Sequence, residues 1–225
     1  MSEQYRLQSL NIGRPVLLQG HSKEVMSGFG KVPTEERIYL SAVNLEGDGQ
    51  GDTVNHGGVD KAVCVYCYEH YPYWEKRLNR KFPPGAFGEN VTLEGLTEED
   101  VRIGDIFEWG EAVVQVSQPR QPCYKIGVYH QLPEFTAYVE QTGYTGFYFR
   151  VLKPGFVSKR DGLTRLEKDS LGVSIAYANQ VKYRNKSDLN GIRKVLEVPA
   201  LSDSWRATFN KRLAKLAEGQ ADQNR

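Results

Sequence analysis

The chain has 225 residues, 40% of them apolar and 25% charged, with 29 Lys and Arg against 28 Asp and Glu. That length holds one large domain, or a main domain with an appendage, and a net charge of +1 gives no global field for nucleic acid or an anionic membrane. No apolar run approaches the roughly 18 residues of a membrane span, the opening MSEQYRLQSL lacks the apolar core of a signal peptide, and three cysteines, an odd number, point to a reducing cytoplasm rather than a disulfide framework.

Aromatic and β-branched runs punctuated by glycine predict a largely β domain over most of the chain. Tyr5 to Leu18 reads as strand broken by turn signals at Asn11-Ile12-Gly13 and Pro15. Ser27 to Pro33 (SGFGKVP) is loop-like, and Arg37 to Val43 reads as strand. Gly47 to Gly58 (GDGQGDTVNHGG) is a long loop with five glycines, of a length that is usually functional or disordered. Ala62 to Tyr66 reads as a buried strand, Tyr68 to Leu78 as a helix and Phe87 to Leu93 as a strand after Pro83-Pro84-Gly85. Asp105 to Trp109 and Ala112 to Ser117 suit a hairpin around Gly110-Glu111. A short helix over Pro133 to Gln141 closes at Gly143, and Thr145 to Leu152 is strand-like.

After about Arg160 the periodicity becomes helical. Leu171, Ile175 and Ala178 recur at helical spacing, then Ile192, Val195 and Leu196, and finally Trp205, Phe209, Leu213 and Leu216, with Ser202 and Asp203 as N-cap candidates. Three short amphipathic helices predict a small helical bundle, separate from the β domain or docked on it.

The most informative stretch is Gln118-Pro119-Arg120-Gln121-Pro122-Cys123-Tyr124-Lys125-Ile126-Gly127. Cys123 falls between a strand-like and a helix-like run. Unpaired helix N–H groups and the cations Arg120 and Lys125 would favour its thiolate, the nucleophilic and metal-binding form. Its plainer role is a small buried hydrophobe. Asn55-His56-Gly57-Gly58-Val59-Asp60-Lys61 closes the glycine-rich loop: glycine admits a ligand close to the backbone, His56 exchanges protons near neutrality and Lys61 meets anions, though the same residues also make ordinary turns. Lys31 is either a solvated loop lysine or a cation presented from a glycine hinge. Asn90 offers a carboxamide, or caps a strand end. Cys64 and Cys67 form a C-x-x-C that strand geometry would split onto opposite faces, and without a second pair or a flanking His no structural zinc site is expected. The four histidines show no metal-ligand spacing, and Walker A, G-x-G-x-x-G and G-x-S-x-G motifs are missing.

NHGGVDKAV, FGENVT, RIGDIFEWG and SQPRQPCYKIG, in that order, resemble the MOSC domain, and the helical tail resembles the appendage of its bacterial YiiM-like subfamily. The resemblance covers roughly residues 25–160. It implies an α+β protein: a β-rich, barrel-like MOSC domain over residues 1–163 and a C-terminal three-helix segment over 164–225. It implies a pterin-based molybdenum cofactor (Mo-molybdopterin), with Cys123 as the thiolate on the metal. Arg120, Lys61, Asn90, Thr53, Gly57 and Gly58 would hold the cofactor, and His56 or Lys31 would serve catalysis. Relatives reduce N-hydroxylated compounds, such as 6-N-hydroxylaminopurine, to amines, a detoxification chemistry; the family is also associated with pyridoxal phosphate binding. With no flavin, haem or iron–sulfur motif, electrons would come from a separate flavoprotein or ferredoxin-type donor docked on the tail, which could equally close a homodimer. Two rival readings are a carrier of the cofactor or of sulfur on Cys123, and a non-catalytic interaction module.

Overall fold

The computed structural model describes residues 3–18, 25–52 and 56–223. The described residues form twelve strands: β1 (Gln4–Ile12), β2 (Val16–Leu18), β3 (Val25–Ser27), β4 (Val32–Pro33), β5 (Ile38–Leu40), β6 (Val63–Cys67), β7 (Val91–Glu94), β8 (Ile106–Trp109), β9 (Ala112–Pro119), β10 (Phe147–Lys153), β11 (Gly155–Val157) and β12 (Leu163–Glu167). Seven of them, in the order β1-β12-β8-β9-β10-β6-β7 and back to β1, close a barrel. Closure rests on the Gln4↔Thr164 and Tyr5↔Leu163 pairing of β1 with β12. Only β6 and β7 run parallel among these pairs. The predicted hairpin forms as β8–β9, with Trp109↔Ala112 at its turn.

β6 is buried at all five positions, because it is covered on both faces. Val63, Val65 and Cys67 join the barrel core with Leu93, Val116 and Phe149. Tyr66, on the opposite face, joins a second cluster with Tyr71, Trp74, Phe87, Ile126 and Phe135, stacking on Phe87 at 4.0 Å and accepting a hydrogen bond from Trp74 Nε1 at 2.6 Å. That aromatic cluster lies under helices α1 (Tyr71–Leu78), α2 (Lys125–His130) and α3 (Phe135–Thr142), so it positions the chain that follows Cys123. The helix expected from Tyr68 starts as a 3-10 turn, Tyr68–His70, before α1 begins with Pro72 in its first turn.

The C-terminal segment contains α4 (Ile175–Asn179), continued by a π-helical turn over Gln180–Arg184, then α5 (Leu189–Leu196) and α6 (Asp203–Gln223). Ser174 caps α4 by accepting from Tyr177 N, and Asp188 caps α5 by accepting from Gly191 N. Ser202, one of the two expected caps, accepts from Trp205 N at 3.4 Å. Ile175, Ala178, Val181, Ile192, Val195, Trp205 and Phe209 belong to the same hydrophobic cluster as the barrel interior. The helices are therefore docked on the barrel through a shared core.

Two expectations need correction. The division at residue 163 cuts through β12, whose pairing with β1 and β8 closes the barrel as far as Glu167. The strand expected from Phe87 begins only at Val91. Glu89, fully buried, accepts from Gly85 N, Phe87 N, Thr92 Oγ1 and Tyr71 Oη, folding Phe87–Asn90 into a turn.

Candidate functional site

One rim of the barrel gathers the ends of several elements. Cys64 lies near the start of β6, Asn90 just before β7, Arg120 just after β9, Tyr148 in β10 and Lys31 just before β4. Together with Gly28, Gly51, His56, Lys61, Cys123 and Lys125 they line a cavity of about 60 Å³. An adjoining cleft of about 530 Å³ shares His56, Lys61, Cys123, Lys125 and Tyr148, and is walled further by Gln118, Ser204 and Thr208. The first turns of α6 thus reach the site.

The glycine-rich loop makes the outer wall by packing backbone on backbone. A Cβ at Gly51 would stand 2.5 Å from the Met26 carbonyl oxygen, and one at Gly28 would stand 2.6 Å from the Gly49 carbonyl oxygen. Neither distance is sterically possible, so this wall needs glycine.

Arg120 is buried, 7% exposed, with its guanidinium over the Phe29 ring at 5.5 Å. Among the described residues it has no ion pair and no side-chain hydrogen bond. A buried cation without a counterion is costly, and here it faces a cavity. Lys125 is also buried but is tied to the Met26 carbonyl at 2.9 Å. Lys61 lies in the 3-10 turn Val59–Lys61, and burial lowers its ammonium pKa. His56 is pushed down to about 4, first by burial and then by the charges of Arg120 and Lys125, so it is a neutral imidazole at pH 7.

Two predicted residues are engaged by the protein itself. Lys31 forms a buried ion pair with Asp48, so it does not present a free cation. The Asn90 carboxamide donates to Asp48 Oδ2 at 2.9 Å and to the Asn11 carbonyl at 3.3 Å, and accepts from Cys64 N at 3.0 Å. It pins the strand that carries Cys64. Gly57 and Gly58 are not among the residues lining either space. Thr53 lies outside the described residues. Cys123 is partly exposed and precedes α2, a helix of six residues.

Tyr148 was not evident from the sequence. Strand pairing puts it opposite Cys64 on β6 and Gln118 on β9, a cross-strand row on one face. Burial raises its phenol pKa, aided by a hydrogen bond to Cys64 and opposed by Arg120, so it keeps its proton. The two cysteines of the C-x-x-C do diverge: Cys64 lines the cavity, while Cys67 donates to Glu98 at 3.5 Å elsewhere. The signal for Tyr148 was the alternation of TGFYFRVL, which sets Tyr148 and Arg150 on the face opposite Phe147 and Phe149.

A MOSC domain model matches residues 52–164, and a model of the YiiM-like 3-alpha helix domain matches residues 173–216. The uncharacterized protein YflK of Bacillus subtilis is 50% identical over 214 residues, 95% of this chain and 97% of that one. The crystal structure of YiiM from Geobacillus stearothermophilus superposes with a TM-score of 0.80 at 41% identity, covering 93% of this chain and 99% of that one. A Gibberella moniliformis protein described as a reductase is 31% identical over 180 residues, 78% of this chain but 32% of its own length.

Proposed function

The chain belongs to the MOSC domain family, and on that premise we propose that it is a molybdenum-cofactor-dependent oxidoreductase that reduces N-hydroxylated compounds to amines. The observation that carries this reading is Arg120, a buried cation without an ionic partner among the described residues, beside a partly exposed thiol in one cavity. A thiolate suits a thiophilic metal. A cation lacking a counterion suits the phosphate that a pterin cofactor carries. The inner cavity of about 60 Å³ is too small for a pterin, but the adjoining cleft of about 530 Å³ is in the range of cofactor sites.

Cys123 would hold the metal, and Arg120, Lys61 and Lys125 would face the phosphate. When bound, the cofactor supplies the two-electron chemistry that takes oxygen from an N–OH group. The chain's own groups do the rest. Tyr148 keeps a proton on its Oη inside the cavity and is the donor best placed to protonate a departing oxygen. Neutral His56 accepts or donates a hydrogen bond to substrate and is not the resting acid. The Lys31–Asp48–Asn90 network keeps the Cys64 strand end fixed under the site. Electrons would arrive from a separate flavoprotein or ferredoxin-type donor.

The test is reduction of 6-N-hydroxylaminopurine by cofactor-reconstituted protein with dithionite-reduced viologen, wild type against Cys123→Ala. Turnover that vanishes in the variant together with bound molybdenum is expected. Stoichiometric molybdenum without turnover would move the assignment to a carrier, and neither binding nor turnover would sink it.

A further inference from the structure

A second convergence of reactive side chains lies away from that cavity. Cys67 ends β6, His70 ends the 3-10 turn that follows, and Glu98 lies between β7 and β8. All three are buried, at 0%, 6% and 3% exposure. His70 Nε2 is 2.6 Å from Glu98 Oε2, the Cys67 thiol donates to the same oxygen at 3.5 Å, and the three ligand atoms lie within 4.8 Å of one another. It is the group of three metal-ligating side chains found among the described residues.

The surroundings hold these groups in place. Glu98 Oε1 accepts from Gly146 N at 2.7 Å, which orients the carboxylate. Tyr144 stacks on the His70 ring at 3.8 Å with planes 8° apart, which fixes the imidazole. Outer partners of this kind accompany metal ligands and set their direction. His70 and Glu98 also line a cleft of about 710 Å³ between barrel and helices, an entry path for an ion. On the wall of that cleft stands Asn179, 4% exposed, whose Oδ1 has no hydrogen-bond partner.

A histidine alone would answer the buried carboxylate. A thiol brought to the same oxygen makes a set of one sulfur, one nitrogen and one oxygen, which calcium and magnesium do not select and zinc does. We propose that Cys67, His70 and Glu98 form a binding site for a divalent cation of zinc chemistry, with a water as the fourth ligand. Metal–ligand distances of about 2.0–2.3 Å place ligand atoms roughly 3.5 Å apart, the present separation of the Cys67 thiol from Glu98 Oε2, while His70 Nε2, now 2.6 Å from that oxygen, must draw back to admit the ion. Binding exchanges the Cys67 S–H bond for a metal–sulfur bond and the His70 Nε2–H···Glu98 hydrogen bond for a metal–nitrogen bond, the imidazole keeping a proton only on Nδ1; the displaced protons go to solvent, with no change of oxidation state. Glu98 carries the site into the helical segment, because its carbonyl accepts from Ala176 N at 2.8 Å. The ion therefore clamps barrel to helices.

The probe is Co²⁺, titrated into a Cys64→Ser/Cys123→Ser chain in which Cys67 is the one remaining thiol. One equivalent is expected to bind with a thiolate-to-cobalt charge-transfer band and tetrahedral d–d bands, both displaced by Zn²⁺. Cys67→Ser in that background removes the charge-transfer band, and His70→Ala weakens binding at least about tenfold. Absence of stoichiometric binding at pH 8, or a spectrum indifferent to Cys67→Ser, overturns the site. Should the double variant not fold, the readout is the Tm of the wild-type chain. Zn²⁺ raises it, His70→Ala cancels the rise, and an unmoved Tm rejects the proposal.

Discussion

On one face of β6, Cys64 meets a cavity walled by Lys31, Lys61, Arg120 and Lys125, whereas at the strand's end Cys67 meets Glu98 and His70 in a cluster whose hydrogen-bonding groups satisfy one another. Two residues separate the thiols, and the environments are opposite in sign and in completeness. Among the described residues the cavity side gives Arg120 no ion pair or side-chain hydrogen bond, only the Phe29 ring, and it keeps space beside it. The carboxylate side satisfies both oxygens of Glu98 from protein groups. The incomplete position is kept at a cost in stability, whereas the completed one holds the fold by itself and takes a metal only by trading its internal hydrogen bonds for metal–ligand bonds. Substitutions on the two sides should therefore move stability in opposite directions.

The largest effect is expected at Glu98→Gln. It replaces one of the carboxylate oxygens that hold His70, Cys67 and Gly146 N by an amide nitrogen, and it weakens the joint between barrel and helices. Leaving buried hydrogen-bonding groups without their partner costs about 1–3 kcal/mol each. With the protein stripped of metal by a chelator, urea unfolding should show that loss, and a fall below about 1 kcal/mol would mean that Glu98 is dispensable to the fold.

Acid should separate the two sides in sequence. His130 ends α2, the helix that follows Cys123; its Nε2 donates to the Ala86 carbonyl at 2.7 Å among Phe82, Phe87 and Phe135. Burial pushes its pKa down to about 4 from 6.5. The unfolded chain thus binds a proton between pH 6.5 and 4 that the folded chain refuses. The stabilisation is whole above 6.5 and is lost as pH falls to 4, amounting to about 3 kcal/mol. Glu98 has its pKa lowered, by His70 and by Gly146 N, against the opposing effect of burial. Its contribution persists above the usual 4.5 and is lost only below that. Unfolding free energy measured from pH 7 to 4 should fall, and His130→Gln should remove about half of that slope, the rest coming from His56, which burial and the neighbouring cations also lower to about 4.

Arg120→Met tests the incomplete side. Replacing an unpaired buried cation by an apolar side chain of similar length should leave the ligand-free protein as stable or raise it by about 1 kcal/mol. The same change should weaken binding of molybdate or phosphate, read by calorimetry, at least tenfold. Loss of stability with unchanged anion binding would make Arg120 a structural residue.

This contrast explains what could be read in the sequence. The barrel strands, the helical tail, the Ser202 cap and the segment around Cys123 follow from local alternation, helical spacing and turn residues. Closure of the barrel does not, because Gln4 and Thr164 are far apart in the chain and their pairing has no local signature. Phe87–Asn90 has a strand-like sequence yet folds as a turn, because the Glu89 carboxylate collects backbone N–H groups there. The cavity residues were legible in part: Arg120, Cys123, His56 and Lys61 line it, while Asn90 and Lys31 line it with their polar groups already engaged. The Cys67–His70–Glu98 cluster is not legible in the sequence, where Cys67 figures only in the C-x-x-C pair with Cys64. His70 stands three residues beyond Cys67, but the third ligand comes from a different segment, 28 residues further on.

The smallest effect concerns Asp60, which joins the cavity rim to the helical tail. Asp60 follows the glycine-rich loop, and its Oδ1 accepts from Arg150 Nε at 3.0 Å and Nη2 at 2.6 Å. Its Oδ2 accepts from Asp203 N at 3.1 Å, at the start of α6, and its carbonyl accepts from Ser117 Oγ at 2.6 Å. A carboxylate at that place also answers the positive end of a long helix, worth about 0.3–1 kcal/mol when partly exposed. Asp60→Asn keeps the shape and the acceptor for Arg150 but removes the charge. The global stability should drop by about 1 kcal/mol or less, while amide exchange quickens over residues 203–206. Ser204 and Thr208 wall the cleft from that same turn, so the variant should also raise KM for a substrate bound there more than it lowers kcat. Unchanged exchange in the first turn of α6 would show that Trp205 and Phe209, buried in the shared core, seat the helix without Asp60, and that the tail's reach into the cleft is set by packing alone.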